Sequence, residues 1–350
     1  MSLGLGSSLI PALLAAAAVF FGCGRGATSP PAHLLERAHQ TMGTELRVSV
    51  WTADDARADA AIGAVFGEFD RLDALMSVWK DGSDIVRLNA AAGERAVPVS
   101  PETREVLEIA HQISEQTGGA FDVTFAALSG LWKFDDQDRD GSVPDHREIQ
   151  KRLPLINYRD LIVENSAGTA LLRRKGMKVN LGGIGKGYAV DRGVAILRRN
   201  RLSDFMVQAG GDMYVAGKRG DRAWRLGIRD PRGPADRIFA ALDLTDGTFS
   251  TSGDYERFFM KDGRRYHHII DLRVGEPATL CRSVTLVTER AVVADALAKA
   301  VFILGPDEGM ALIERTRGVQ GVIVSAKNEI SISSGLRGRL TVLAPPTDAP

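Results

Sequence analysis

The sequence predicts an α+β fold, and two observations lead to this class. Stretches that alternate between apolar and polar residues, as β-strands do, occur beside stretches with the spacing of amphipathic helices. These stretches do not follow the strict strand–helix–strand order of a parallel sheet, so we expect mixed or antiparallel sheets with flanking helices. Hydrophobic residues make up 44% of the 350 residues, which is enough to form a large core.

The first half of the chain predicts one strand and two helices. Residues 47–51 alternate and indicate a strand, whereas apolar side chains at helical spacing indicate a helix over residues 54–75. A second helix is expected over residues 101–117. Ser100 is its expected N-cap, and the two glycines at 118–119 end it.

The second half predicts two more helices and most of the strands. Helices are expected over residues 188–199 and 289–304, and Gly305 with Pro306 ends the second of them. Strands are expected over residues 205–209, 224–228, 239–244, 283–288, 321–324 and 330–332. The last two strands lie close enough in sequence to form a closing hairpin.

The charge balance argues against nucleic acid as a partner. Lysine plus arginine and aspartate plus glutamate both number 44, so the formal net charge is zero. A polyanion would favour a basic surface, and no run of like charges suggests an interaction tail.

The N-terminus has the features of an export signal. Residues 9–21 are apolar, with the length of a signal-peptide core and too short for a comfortable membrane span. They lead into Gly22 and Cys23, and a small residue before cysteine is typical of lipoprotein signals. We therefore expect a signal peptide over residues 1–22, a lipidated tether over 23–36, and a lipid anchor at Cys23 on the periplasmic side of the inner membrane. An ordinary cleaved signal or a plain anchor is the alternative.

A glycine-rich turn is the first candidate site. Residues 180–187 contain four glycines and Lys186, directly before a predicted helix. Glycines allow a ligand to approach the backbone, and the start of a helix attracts phosphate. Neither the Walker pattern nor the G-x-G-x-x-G fingerprint fits this spacing. The residues themselves leave open a phosphate site or a tight strand-to-helix turn with a surface lysine.

Three further stretches carry chemistry-bearing side chains. Residues 117–124 place an aromatic ring and a carboxylate directly after a double glycine, although a core phenylalanine would look the same. His267 and His268 are adjacent, so in a strand they point to opposite faces. Asp295 lies on an otherwise apolar helix with Lys299 four residues later, which indicates either a cation site or an intrahelical ion pair.

In this order, the four stretches resemble the FAD:protein FMN transferase family, also called ApbE. The resemblance extends from residues 41–44 to about Gly305, which is most of the mature chain. Further family-like stretches are residues 76–79, 210–212, 224–231 and 251–255.

The resemblance implies a two-lobed α+β domain over residues 37–345, with FAD in the cleft between the lobes. It implies an Mg²⁺-dependent reaction that cleaves FAD, attaches FMN through its phosphate to a threonine of another protein, and releases AMP. The acceptor would be an exported or membrane subunit of an electron-transfer complex. It would carry an Asp-Gly-x-Thr-Ser/Ala-Ala-Thr motif, which this chain lacks.

The resemblance also implies roles for individual residues. The main-chain carbonyl of Gly183 and the carboxylate of Asp295 would hold Mg²⁺, and Lys186 and Asp295 would take part in catalysis. His268 is the candidate base for the acceptor hydroxyl, with His267 as the weaker candidate. The residues expected to line FAD are Met42, Trp79 (where the family commonly has tyrosine), Ala120, Phe121, Asp122, Asn180, Lys186 and Ile269.

Three positions depart from the family pattern. Asn180 replaces an aspartate, Leu272 replaces a proline, and Lys299 replaces a threonine whose hydroxyl usually helps to bind the metal. Two arrangements of Lys299 stay open: its ammonium substitutes for part or all of the Mg²⁺ charge, or it turns outward and the metal keeps Asp295, the Gly183 carbonyl and waters. We expect Mg²⁺ dependence to be weakened or altered.

An acidic loop suggests a second cation. Asp136, Asp138 and Asp140 occupy alternate positions before Gly141, as in the first half of a Ca²⁺ loop. The twelfth position is Arg147 instead of the usual glutamate, and a solvated loop is the alternative interpretation.

Three functions therefore stand beside one another. The first is the FMN transferase, the second is a pyrophosphatase that hydrolyses FAD to FMN and AMP, and the third is an FAD-binding lipoprotein whose catalysis is weakened. The changes at Asn180 and Lys299 are what make the third function conceivable.

Overall fold

The computed structural model describes residues 31–134 and 141–349, together with Met1. The expected signal peptide, Cys23 and the acidic loop with Asp136, Asp138 and Asp140 lie outside the described residues. Within the described ranges, no helix combines the length and the apolar character that a bilayer span requires.

The described residues form an α+β structure. Its helices are α1 (Asp55–Met76), α2 (Asp84–Ala90), α3 (Pro101–Gln116), α4 (His146–Arg152), α5 (Gly185–Arg199) and α6 (Ala291–Arg315). The strands of the N-terminal half are β1 (His33–Thr41), β2 (Thr44–Thr52), β3 (Val97–Pro98), β4 (Leu161–Glu164) and β5 (Thr169–Leu172). The later strands are β6 (Phe205–Ala209), β7 (Asp212–Ala216), β8 (Trp224–Arg229), β9 (Ile238–Leu244), β10 (Asp246–Gly253), β11 (Phe258–Lys261), β12 (Arg264–His267), β13 (Ile270–Asp271), β14 (Glu276–Pro277), β15 (Cys281–Thr288), β16 (Gln320–Ser325), β17 (Ile330–Ile332) and β18 (Leu340–Val342).

An eight-stranded sheet organises the domain. Its strands follow the order β1-β2-β6-β7-β10-β15-β16-β17, and every neighbouring pair is antiparallel. Two smaller antiparallel sheets, β18-β9-β8 and β3-β5-β4, and two short hairpins, β11-β12 and β13-β14, complete the strands. The antiparallel pairing agrees with the predicted fold class.

The large sheet buries both of its faces. On one face, α1, α5 and α6 pack over side chains such as Val48, Phe205 and Val284. On the other face, Phe249 and its neighbours meet Phe239 in the small sheet β18-β9-β8. Since α6 lies in the helical layer against the sheet, nearly all of its first three turns is buried, including Asp295.

Most predicted elements are confirmed, with differences at three boundaries. α5 begins at Gly185, three residues earlier than predicted, because the Gly185 N–H already donates to Leu181 O at 2.7 Å. The helix predicted to stop at 304 is interrupted at Gly305 (φ 84°) and then resumes to Arg315. Pro306 suits the first turn of the resumed part, where its missing N–H costs nothing. At the N-terminus, residues 33–36 of the expected tether belong to β1.

The first turns of α5 and α6 cap each other. Neither helix has a capping side chain at its own N-cap position, Ile184 or Arg290. Instead, Asp191 of α5 accepts from the N–H groups of Ala291 and Val292 of α6, at 2.7 and 3.2 Å. In return, an oxygen of Asp295 of α6 accepts from the Gly187 N–H of α5 at 2.9 Å.

This reciprocal capping requires very close contact between the two helices. A Cβ at Gly187 would lie 2.3 Å from Ala291 O and 2.8 Å from Asp295 Cβ. Only glycine therefore allows the two helix starts to approach closely enough for both caps to form. The same contact places Asp295 beside the glycine-rich turn.

We expect Gly187→Ala to lower the free energy of unfolding by about 1–3 kcal/mol, because the added methyl group pushes α5 and α6 apart. Gly63→Ala is the matched control, since a Cβ there meets nothing within 4 Å and Gly63 is exposed on α1. The control should be neutral or stabilising by about 0.5–1 kcal/mol. Urea denaturation of both variants measures the effects, and equal stability of the two would contradict the account.

Candidate functional site

The candidate site lies where the glycine-rich turn meets one end of the large sheet. Residues 180–184 lead directly into α5, and Lys186 is in its first turn. The turn between β6 and β7, Gly210–Gly211, approaches Thr44 and Thr251 so closely that a Cβ at either glycine would lie 3.0 or 2.7 Å from their oxygen atoms. The beginning of β7 is thereby fixed beside Lys186.

Asp212, the first residue of β7, holds the ammonium group of Lys186. The distance from Lys186 Nζ to Asp212 Oδ2 is 2.8 Å, and Asp212 is only 3% exposed. Its other oxygen accepts from Ser250 Oγ at 2.5 Å, and Ser250 is its direct cross-strand partner on β10. The pairing of β7 with β10 therefore positions the Asp212 carboxylate, which in turn positions the Lys186 ammonium group.

Asp295 is the second carboxylate beside Lys186. Its Oδ2 atom accepts from the Gly187 N–H and lies 3.9 Å from Lys186 Nζ. Its Oδ1 atom accepts from Lys299 Nζ, one helical turn further along α6. Lys299 therefore turns inward and forms the intrahelical ion pair that the sequence offered as the alternative to a cation site.

The surrounding charges favour the ionised forms of Lys186 and Asp212. Burial lowers the pKa of Lys186, but the carboxylates of Asp212 and Asp295 outweigh it and raise the pKa above its ordinary value. Burial raises the pKa of Asp212, but the cations of Lys186 and Lys299 outweigh it and hold the pKa below its ordinary value. Arg257 adds a further positive charge that acts on Lys186.

The glycine-rich turn is held by its own first side chain. Asn180 Oδ1 accepts from the Gly182 N–H at 2.7 Å, so the amide closes the turn as an aspartate would. The ring of Phe121 lies 3.4 Å from the position of a Cβ at Gly183, and the Lys299 Cε atom lies 4.0 Å from it. Phe121 and Lys299 therefore lie against the turn that Asn180 closes.

The segment Ala120, Phe121 and Asp122 is buried behind the turn. Gly118 and Gly119, at φ 61° and 86°, end α3 in left-handed conformations and redirect the chain into this segment. Asp122 accepts from Thr124 N and Oγ1 and from Tyr158 N at 2.7–2.8 Å. These bonds give Asp122 a structural capping role, and its contact with FAD stays a prediction.

The two adjacent histidines have different environments. His267 is 3% exposed, its Nε2 donates to Ala278 O at 2.7 Å, and its Nδ1 accepts from the Ile269 N–H at 3.3 Å. His268 is half-buried, and its Nδ1 atom has no hydrogen-bond partner among the described residues. Burial, with the nearby His267, Lys299 and Arg257, lowers the pKa of His268 to about 3. His268 is therefore a neutral imidazole with one ring nitrogen, Nδ1, that forms no hydrogen bond with the described part of the chain.

Three other predicted FAD residues differ in exposure. Met42 lies in the β1–β2 turn with φ 50°, beside Gly43 at φ 68°, and packs partly against the core. Trp79 is 88% exposed in the segment after α1, so its ring is accessible to a partner molecule. Ile269 is buried, and its carbonyl accepts from the Ala278 N–H at 2.9 Å.

The residues expected to hold Mg²⁺ do not form a metal site as they stand. Both oxygens of Asp295 already accept from Gly187 and Lys299, and Lys186 Nζ is 3.9 Å away. Among the described residues, no group of three or more His, Cys, Asp or Glu side chains could hold a metal ion. Mg²⁺ favours six oxygen ligands, and the ammonium groups of Lys186 and Lys299 beside Asp295 would repel it.

Asp212 is the site residue that the sequence analysis did not single out. It lies in the family-like stretch 210–212, and a carboxylate directly after a double glycine is the signal that could have identified it. Its buried contact with Lys186 depends on the pairing of β7 with β10, which the sequence does not reveal.

Comparison with known proteins identifies the family. The sequence model of the ApbE family matches residues 42–323. This chain belongs to the ApbE family.

Relatives support the assignment over nearly the whole length. The FAD:protein FMN transferase of Treponema pallidum is 34% identical over 339 residues, covering 92% of this chain and 93% of the relative. One from Klebsiella pneumoniae is 31% identical and covers 91% of this chain and 92% of its own. Among solved structures, the ApbE protein of Thermotoga maritima is 31% identical with a TM-score of 0.80, covering 88% of this chain and 99% of that one.

We expect the pair Lys186–Asp212 to be energetically coupled. Lys186→Met should lower the free energy of unfolding by about 3–5 kcal/mol, because it leaves Asp212 buried without its cation. Adding Asp212→Asn should recover part of that loss. Urea denaturation of the two single variants and the double variant gives the coupling energy, and additive effects within about 0.5 kcal/mol would contradict the pairing.

Proposed function

We propose that this ApbE-family protein is an FAD:protein FMN transferase. The observation that carries the proposal is the pair of ammonium groups beside the glycine-rich turn, Lys186 in the first turn of α5 and Lys299 on α6. Helix starts and ammonium groups both favour phosphate, and a glycine-rich turn beside them allows a diphosphate to approach the backbone. The relatives named FAD:protein FMN transferase supply the identity of the diphosphate.

The proposed reaction is a phosphoryl-type transfer. The hydroxyl oxygen of an acceptor threonine attacks the FMN phosphorus of FAD, and the bond from that phosphorus to the bridging oxygen breaks. The AMP moiety leaves with the electron pair, and the threonine proton passes to a base. Such reactions depend mainly on positioning and on neutralising charge, which is what fixed ammonium groups provide.

His268 is proposed as the base that accepts the threonine proton. Its ring is neutral at physiological pH and has an unpartnered nitrogen, and it lies close enough to Lys299 for that cation to affect its pKa. A bound diphosphate would raise the pKa of His268, because it adds negative charge near the imidazole. Since both ring nitrogens of His267 serve the backbone, we assign His267 a structural role.

We propose that FAD lies in a cleft lined by the turn, the segment from Ala120 to Asp122, Met42 and Ile269. The diphosphate would lie at Lys186, beside Asn180 and Gly183. The exposed ring of Trp79 offers a face on which the isoalloxazine can stack.

The acceptor and the location follow from the same proposal. We propose that the acceptor is a threonine in an exported or membrane subunit of an electron-transfer complex. We further propose that Cys23 is lipidated and holds the enzyme on the periplasmic side of the inner membrane. The apolar segment before Cys23 supports this location.

Incubation of the purified protein with FAD and an acceptor domain carrying the Asp-Gly-x-Thr-Ser/Ala-Ala-Thr motif tests the function. We expect covalently fluorescent acceptor and an equal amount of AMP. Free FMN and AMP without labelled acceptor would instead identify a pyrophosphatase, and unchanged, tightly bound FAD would identify a flavin-binding lipoprotein.

His268→Ala should slow FMN transfer by about 10²–10⁴-fold with little change in thermal stability, because the base is removed and no hydrogen bond is lost. His267→Ala is the matched comparison. It should lower the melting temperature, because the Ala278 carbonyl and the Ile269 N–H lose their partner. Full activity of His268→Ala would overturn the assignment of the base.

Cys23→Ser should release the protein from membranes into the soluble periplasmic fraction, because serine has no thiol to form the thioether that carries the lipid. Fractionation of cells that produce each form measures this. Equal membrane association of both forms would contradict the lipid anchor.

A further inference from the structure

We propose that the ammonium group of Lys299 takes the place of a divalent cation in this enzyme, so that FAD is processed without Mg²⁺. The inference rests on the proposed function, because the diphosphate that needs neutralising is that of FAD. The groups concerned are the Asp295 carboxylate, the Gly183 carbonyl, and the ammonium groups of Lys186 and Lys299.

Lys299 lies beside both groups expected to hold Mg²⁺. Its ammonium group is paired with Asp295 Oδ1, and its stem passes the Gly183 main chain, with Cε 4.0 Å from the position of a Cβ there. A cation that bound both Asp295 and the Gly183 carbonyl would meet the Lys299 ammonium group at the carboxylate. The lysine is half-buried with 19% of its side chain exposed, so its position is fixed by packing against the turn.

The remaining atoms of Asp295 are also engaged. Its Oδ2 atom accepts the Gly187 N–H that caps α5, so rotating the carboxylate towards a metal would break the cap. The residue is fully buried on α6. Each Asp295 oxygen is therefore already engaged, and a metal bound through either one would share it with a structural contact.

The local charge is already balanced. Asp212 and Asp295 supply two negative charges, and Lys186 and Lys299 supply two positive charges. Arg257 adds a further positive charge near Lys186 and His268. With Arg257 included, positive charges outnumber negative ones. The site therefore repels a divalent cation and attracts the FAD diphosphate.

The chemistry of the two cations explains how one can replace the other. A lysine ammonium is a compact charge with three N–H donors, which suits the oxygens of a diphosphate. It cannot withdraw electrons from phosphorus as a metal ion does, but it neutralises the charge that passes to the AMP leaving group. Two fixed ammonium groups, Lys186 and Lys299, can thus hold the diphosphate from the side of α5.

The experiment measures FMN transfer in EDTA and in Mg²⁺, for the wild type and two variants. The wild type should have the same rate in both buffers to within about twofold, and calorimetry should detect no Mg²⁺ binding to its FAD complex. Lys299→Thr restores an oxygen ligand and removes the repelling charge. It should lose about tenfold or more of its rate in EDTA, recover it in Mg²⁺, and bind Mg²⁺ in calorimetry.

Two controls keep the interpretation specific. Lys299→Arg keeps a positive charge and should remain insensitive to EDTA. Lys327→Thr, in the exposed turn between β16 and β17, makes the same substitution away from the site and should behave as the wild type. Thermal melting verifies that each variant folds, and the wild-type measurement needs no variant.

The possible outcomes are distinct. A wild type that loses activity in EDTA and regains it in Mg²⁺ overturns the inference while supporting the transferase. Mg²⁺ binding by the wild-type FAD complex also overturns the inference. Absence of labelled acceptor in every buffer would instead overturn the proposed function.

Discussion

The carboxylate of Asp295 is the constraint on which the site depends. It is buried on an apolar helix, so it must be paired, and its partners come from two helices. The Gly187 N–H and the Lys299 ammonium bind its two oxygens, and Lys186 lies beside it. Because Asp191 caps α6 in return, the starts of α5 and α6 are locked together, and the glycine-rich turn is fixed with them. A change in this contact would therefore shift both the packing of α5 on α6 and the position of the glycine-rich turn.

The same contact connects stability with chemistry. The cations that satisfy the buried carboxylates are the groups that a bound diphosphate needs, so the folded site is prepared for an anion before one arrives. Asp212 extends this arrangement into the sheet, because the register of β7 against β10 sets its position beside Lys186. The result is a site with charges fixed by backbone elements instead of mobile loops.

The sequence predicted what depends on local pattern. Helix α3 with its Ser100 cap, the strands β2, β6, β15, β16 and β17 of the large sheet and the closing hairpin follow from periodicity and capping residues, and the structure confirms them. The other strands of that sheet, β1, β7 and β10, were not predicted. It could not reveal that α5 begins at Gly185 or that Asp212 faces Lys186, because both depend on contacts between distant segments. The sequence placed His267 and His268 in one strand, but β12 ends at His267, and only the packing around each ring identifies which one has a free nitrogen. The direction of the Lys299 side chain likewise depends on its contacts with Asp295 and the glycine-rich turn, which the sequence does not reveal.

The most direct measurement of the central claim is a crystal structure of the protein with FAD, grown with Mn²⁺ and examined by anomalous scattering. The Lys186 and Lys299 ammonium groups should contact the diphosphate, Asp295 should keep its bonds to Gly187 and Lys299, and no anomalous peak should lie beside them. An anomalous peak between Asp295 and the Gly183 carbonyl, with Lys299 displaced towards solvent, would contradict this claim.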